Sequence, residues 1–157
     1  MNFGTLRAVP VGLFAADFDI DASGQRLLTL DLSGFRSRGT FTWQGATYEL
    51  RAAGLTGRRY TLRRDEEEVA VAERLSLLRR RYRVVAGDRS LELGGGFLLT
   101  RWRLREGDAD LGEITRDGFF TRAMTLALSG RLPMHVQVFL LAIALLESRR
   151  QRRRNSG

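Results

Sequence analysis

The stretch LPMHVQVFLLAIALL, residues 132–146, is the longest run in the chain without a charged side chain. Pro133 is suited to the first turn of a helix. From Val136 to Leu146 the run leaves no polar face, and a helix that is apolar all round must be enclosed on every side, by protein or by lipid. As a helix, fifteen residues reach only ~22 Å against a hydrocarbon core of ~30 Å. His135 and Gln137 stand in its first turn, which further disfavours a bilayer. The segment therefore predicts a buried core helix over about 133–148, not a transmembrane one.

Working outward, residues 27–128 alternate with period two, the mark of strands that bury one face and wet the other. Leu28, Leu30 and Leu32 alternate with Thr29, Asp31 and Ser33. Phe35, Phe41 and Trp43 point opposite to Arg36, Arg38, Thr40 and Thr42. Tyr48 and Leu50, Tyr60 and Leu62, Val69 and Val71, Tyr82 and Val84, and Leu91 and Leu93 repeat the scheme. Trp102 and Leu104 lie between Arg101, Arg103 and Arg105, and Met124, Leu126 and Leu128 close the series. Gln44-Gly45, Asp65 to Glu68, Gly87-Asp88 and Gly94 to Gly96 read as turns or breaks.

The segments amount to roughly ten to twelve short strands, which predicts a mainly β protein, a closed antiparallel barrel. Eight strands can be filled by their own side chains, whereas about twelve leave a lumen that must be plugged. One greasy helix, about as long as tilted strands of six to eight residues are tall, is the expected plug. The predicted organisation is one domain over residues 1–148, with the core helix at its end and a basic, disordered tail over 149–157.

The chain of 157 residues is 43% hydrophobic, so it has enough apolar surface to fold. It has no cysteine and one histidine, which excludes a disulfide framework, a thiolate metal site and a Cys nucleophile. All 26 basic residues are arginine, against 18 acids, for a net charge of +8. The excess is local. Residues 58–105 hold 13 arginines and 7 acids, and residues 149–157 hold 5 arginines and no acid. Local excess points to an anionic partner, although Arg residues can also simply solvate a surface. Met1 to Ala16 lacks a basic leader segment, and Arg7 and Pro10 interrupt its apolar stretch, so no secretory signal is expected.

The order of elements resembles the tubby C-terminal domain, specifically its LURP-one-related and phospholipid scramblase-like branch, as a small bacterial member. The residues that carry the likeness are the Phe41-Thr-Trp43-Gln-Gly45-Ala-Thr-Tyr48-Glu-Leu50 hairpin and Arg59-Tyr60-Thr-Leu62 with its acidic turn. Tyr82-Arg-Val84 with Gly87 to Leu93, the Leu111 to Ile114 segment, and Leu132-Pro133 leading into the apolar run complete it. The resemblance implies a barrel threaded by its last helix. It also implies phosphoinositide binding through basic residues on the barrel exterior, or, in scramblase-like members, action at membranes with calcium. This chain has no Lys and no acidic calcium segment of the scramblase kind.

No enzyme constellation is expected, and no cofactor or metal. Asp17, Asp19 and Asp21 carry carboxylates at positions one, three and five of a calcium loop, but Gly24 and Leu28 miss the positions that loop requires. They read as the wet face of a strand. His135 reads as a capping or core residue, and the charges from Asp65 to Glu68 as a solvated turn. Gly94 to Gly96 lacks the Lys-Ser/Thr of a phosphate loop.

The arginines form three exterior groups. They are Arg58, Arg59, Arg63 and Arg64; Arg79, Arg80, Arg81 and Arg83; and Arg101, Arg103 and Arg105. If neighbouring strands align them, they can take phosphates bidentately. Arg149, Arg150, Arg152, Arg153 and Arg154 in the tail add attraction to an anionic bilayer of ~1 kcal/mol per residue. The expected function is a non-enzymatic binding module, cytoplasmic and peripheral at the inner membrane face, engaging anionic phospholipid head groups. A protein-interaction or structural module with an unknown partner is the alternative. Nucleic acid is disfavoured, because the tryptophans and tyrosines fall on the inward phase and leave little for base stacking.

Overall fold

The computed structural model describes residues 4–13, 16–33, 38–53, 59–76, 78–96, 98–118 and 121–156. Twelve strands are followed by one helix. The strands are β1 (Thr5–Pro10), β2 (Asp17–Ala22), β3 (Gln25–Asp31), β4 (Arg38–Trp43), β5 (Ala46–Ala53) and β6 (Arg59–Arg64). They continue with β7 (Glu67–Arg74), β8 (Arg81–Ala86), β9 (Arg89–Gly95), β10 (Arg101–Glu106), β11 (Ala109–Arg116) and β12 (Met124–Leu128). The helix α1 is Met134–Asn155. Each strand pairs antiparallel with its sequence neighbours, and β1 pairs with β12, so the sheet closes on itself. Closure removes every free edge.

The lumen is filled as the sequence requires. Val136 and every residue from Val138 to Leu146 are at most 4% exposed, and they share one core with the inward rows of the strands. Contacts reach the helix from opposite sides of the barrel. His135 stacks on Tyr48 of β5, Tyr60 of β6 and Tyr82 of β8 bond to Glu147, and the Arg149 guanidinium donates to the Leu32 carbonyl. Pro133 occupies the cap position with no side-chain cap, and the buried Gln137 amide donates to the Leu132 carbonyl at 2.8 Å.

Two details depart from the sequence reading. On β7 the alternation departs from the expected phase: Ala70 and Ala72 are inward and buried and Val71 between them is half-buried, while Val69, skipped in the pairing with β6, is half-buried and packed against the core. Both phases of that strand are apolar, so pattern alone cannot choose. Register against β6, with a shift between Leu62 and Arg63, sets the small alanines towards the core. Second, α1 runs on to Asn155, so residues 149–155 are helical and not a disordered tail. Arginine is a good helix former, and the helix entering from the barrel supplies a nucleus that the arginines only extend. Phe35 and Arg36 lie outside the described residues.

The two barrel mouths differ. At the mouth where α1 begins, hairpins turn tightly, as at Gln44-Gly45, where both residues have positive φ (50° and 76°) as a type I′ turn demands. At the mouth where α1 leaves, the connections are longer: 11–16, 32–37, 54–58, 75–80, 96–100 and 117–123.

Candidate anion groove on the barrel exterior

Outward side chains on neighbouring strands stand in rows set by register. One row crosses six strands as Arg59, Glu73, Arg83, Glu92, Arg105 and Asp110, with sign alternating at each step. The next row towards the helix-exit mouth runs Arg81, Gly94, Arg103, Glu113 and Ala127. Where alternation would place an acid between two arginines, this row has a glycine. Arg81 and Arg103 therefore flank a bare strip of β9, roughly 9–10 Å apart across two strand spacings. A Cβ at Gly94 would meet only Arg81 Cγ, at 3.7 Å, so the strip is open.

That strip is the floor of a groove of about 740 Å³. Among the described residues Arg79, Arg80, Arg81, Arg101, Arg103 and Arg105 line it with a single acid, Glu92, together with Leu78 and Gln151. Glu92 holds Arg81 through Nε at 2.8 Å and through Nη2, which fixes the guanidinium against the floor. Arg101 is paired with Glu113 and Arg105 lies 3.6 Å from Asp110. Arg79, Arg83 and Arg103 make no ion pair among the described residues. Arg81, held in place by Glu92, and Arg79 and Arg103, without an ion pair, surround an open floor that suits a phosphate.

Two of the three predicted arginine groups are thus brought together, with Arg83 one row below the groove. The third is not. Arg58 lies outside the described residues. Arg59 pairs with Glu73 at 3.1 Å and Arg63 donates to the Glu66 carbonyl. Arg64 lines a separate hollow shared with Asp65, Glu66 and Glu67, whose acids offset it.

The tail arginines divide by depth. Arg149 and Arg150 are half-buried at the mouth, Arg150 lying 3.7 Å from Glu147 and 5.8 Å over the Tyr60 ring. Arg152, Arg153 and Arg154 are exposed. Partial desolvation beside the mouth, then the like charges of Arg116 and Arg122, push the Arg152 guanidinium below its ordinary pKa. Positive charge is crowded here. Among the described residues no helix is long and apolar enough to cross a membrane.

A buried polar cluster escaped the sequence reading. Glu147 is 2% exposed, yet it accepts from the Tyr60 hydroxyl at 2.7 Å, the Tyr82 hydroxyl at 2.6 Å and Arg80 Nη1 at 3.1 Å. Burial first, then the Glu147 charge, push both phenols well above their ordinary pKa, so they stay protonated and donate. Arg80 is thereby committed to the core as much as to the groove. The available signal was two tyrosines at the second residue of β6 and β8, each on an inward phase and each needing a buried partner.

The remaining candidates settle as packing. His135 stacks on Tyr48, which stacks on Phe41, with ring centroids 5.3 and 4.9 Å apart. Asp17, Asp19 and Asp21 occupy the outward phase of β2; Asp31, opposite Asp17 on β3, is held low by hydrogen bonds from Ser33. No metal-holding group of side chains exists among the described residues. The fold and the groove together define a closed, helix-filled barrel with a basic exterior cleft. No family model, no curated protein and no solved structure matches the chain.

Proposed function

We propose that the protein is a non-enzymatic binding module that seats the phosphate of an anionic lipid head group between Arg81 and Arg103. The observation that carries this reading is Gly94, which stands between Arg81 and Arg103 where the neighbouring row has Glu92 between Arg83 and Arg105, in the groove that two of the arginine groups line. In this row Arg81 is held by Glu92 and Arg103 has no ion pair among the described residues, so positive charge remains beside the bare strip. The exposed Arg152, Arg153 and Arg154 at the adjoining mouth add long-range attraction of about 1 kcal/mol each near an anionic surface. On this reading the protein works in the cytoplasm, peripheral at the inner membrane face.

Kinship with tubby-type and scramblase-like domains belongs to the same proposal. Its support is the shared plan of a closed barrel threaded by its last helix, with basic residues outside. Lipid is favoured over nucleic acid because Trp102, Tyr48, Tyr60 and Tyr82 are all buried and unavailable for stacking on bases.

The test is co-sedimentation with phosphatidylserine-containing and phosphatidylcholine-only vesicles. The protein is expected to pellet with the anionic vesicles alone, and Arg81→Ser/Arg103→Ser to weaken that binding about tenfold, roughly one charge-assisted contact. Equal behaviour on both vesicles contradicts the proposal. Absence of vesicle binding together with steeply salt-dependent retention on DNA or RNA would replace lipid by nucleic acid.

A further inference from the structure

We propose that the barrel docks end-on, with its helix-exit mouth against the bilayer and Leu13, Leu78 and Leu98 passing below the phosphate layer. This rests on the lipid reading above and adds a depth and an orientation to it. Scattered exposed apolar residues need no explanation, but a cluster does. Among the described residues six large hydrophobics are exposed, and five of them, Val11, Leu13, Leu75, Leu78 and Leu98, sit on the connections of this one mouth. Leu78 is 95%, Leu13 88% and Leu98 61% exposed. The tight turns of the other mouth carry Ser23-Gly24, Gln44-Gly45, Asp65-Glu66, Gly87-Asp88 and Gly107-Asp108.

Each leucine is held outward by a specific device. Arg122 Nη2 donates to the Gly12 and Leu13 carbonyls at 2.7 and 3.1 Å, clamping the β1–β2 connection from its neighbour. The Ser76 hydroxyl accepts from the Leu78 and Arg79 amides, both at 3.3 Å, and fixes the turn that presents Leu78. Leu99 adopts a left-handed backbone, φ 52°, which a leucine avoids unless its surroundings impose it. Its side chain is buried, in contact distance of Gly95, and the turn leaves Leu98 outside. The connections lie on a continuous arc of the rim from β2 through β1, β12, β11, β10, β9 and β8 to β7.

Charge fits the same orientation. The groove opens towards this rim beside Leu78, and α1 leaves through it carrying exposed arginines. The opposite mouth mixes the acids Asp65, Glu66, Asp88 and Asp108 with Arg64, Arg89 and Arg131. An anionic surface therefore attracts the helix-exit end more strongly than the other. Leucines give nothing to a polyphosphate chain, whereas hydrocarbon accepts them, and apolar anchors plus a basic patch are the two signals that stable interfacial binding takes.

The chain has no cysteine, so single probes can be placed cleanly. An environment-sensitive fluorophore is attached to Leu78→Cys, Leu98→Cys or Asp88→Cys, the last at the opposite mouth. Each is mixed with phosphatidylserine-containing vesicles that carry an acyl-chain quencher. The expected result is a blue shift and several-fold stronger quenching at positions 78 and 98 than at 88. In the Leu13→Ser/Leu78→Ser/Leu98→Ser variant, partitioning is expected to fall about 30-fold or more with an unchanged melting temperature. Equal quenching at both ends, or serine-variant binding equal to wild type, overturns end-on insertion. If Arg81→Ser/Arg103→Ser still loses binding in that case, the head-group reading stands alone. If wild-type protein fails to bind these vesicles at all, both readings fall.

Discussion

Glu147 shows how far a single residue can hide in a sequence. It ends the apolar run and begins the basic one, so a residue-by-residue reading leaves it in water, yet the helix carries it inside the wall of the barrel. There it is acceptor to two phenols and an arginine. Removing one partner of a buried charged network strands the others, so Glu147→Ala is expected to cost about 3–5 kcal/mol in denaturant unfolding. His135 is a second case, legible in role but not in detail. Burial, then the Arg64 charge, hold its pKa below the ordinary 6.5, so the unfolded chain binds the proton more readily. Stability should therefore be full above pH 6.5 and fall as pH drops through that value towards the folded one. A pH series of melting temperatures checks this: the His135→Gln variant should lose that part of the slope, and an unchanged slope would contradict it. Gly94 was visible only as part of a glycine run. Its meaning lies in which residues stand beside it, and no spacing along the chain supplies that.

At the scale of elements, the strands with polar outer faces were legible because only one phase could be buried. Arg101 to Arg105 on β10 is the clearest, with Trp102 and Leu104 inside and the three arginines outside. β7 was not, because Val69 and Val71 compete with Ala70 and Ala72, and cross-strand register decides. The inward alanines leave no room for larger groups. Ala72, fully buried, is expected to lose about 1–3 kcal/mol on substitution by leucine, read as a fall in melting temperature, while the outward Val71→Thr changes little. If Ala72→Leu were neutral, the assigned phase of β7 would be wrong. The end of α1 was misjudged for a related reason: composition reports charge, and charge alone does not say whether a helix already begun will stop.

The whole molecule is a sheet that closes because its lumen has something to hold. Closure and plug were readable together, since about a dozen alternating segments and one uniformly apolar helix satisfy each other and little else. The charge map was not, because rows such as Arg81, Gly94 and Arg103 exist only once twelve registers are set. Shape and charge then coincide at one side of one end, where the groove meets the rim of long connections and the arginines of α1. The most direct measurement of that claim is the affinity of Gly94→Glu and Gly94→Ser for anionic vesicles. A side chain fits at this position, so both variants should fold. Glutamate, by placing an acid between Arg81 and Arg103, is expected to weaken binding about tenfold or more while serine leaves it within about twofold; a glutamate variant that binds as tightly as wild type would show that the groove does not seat the head group.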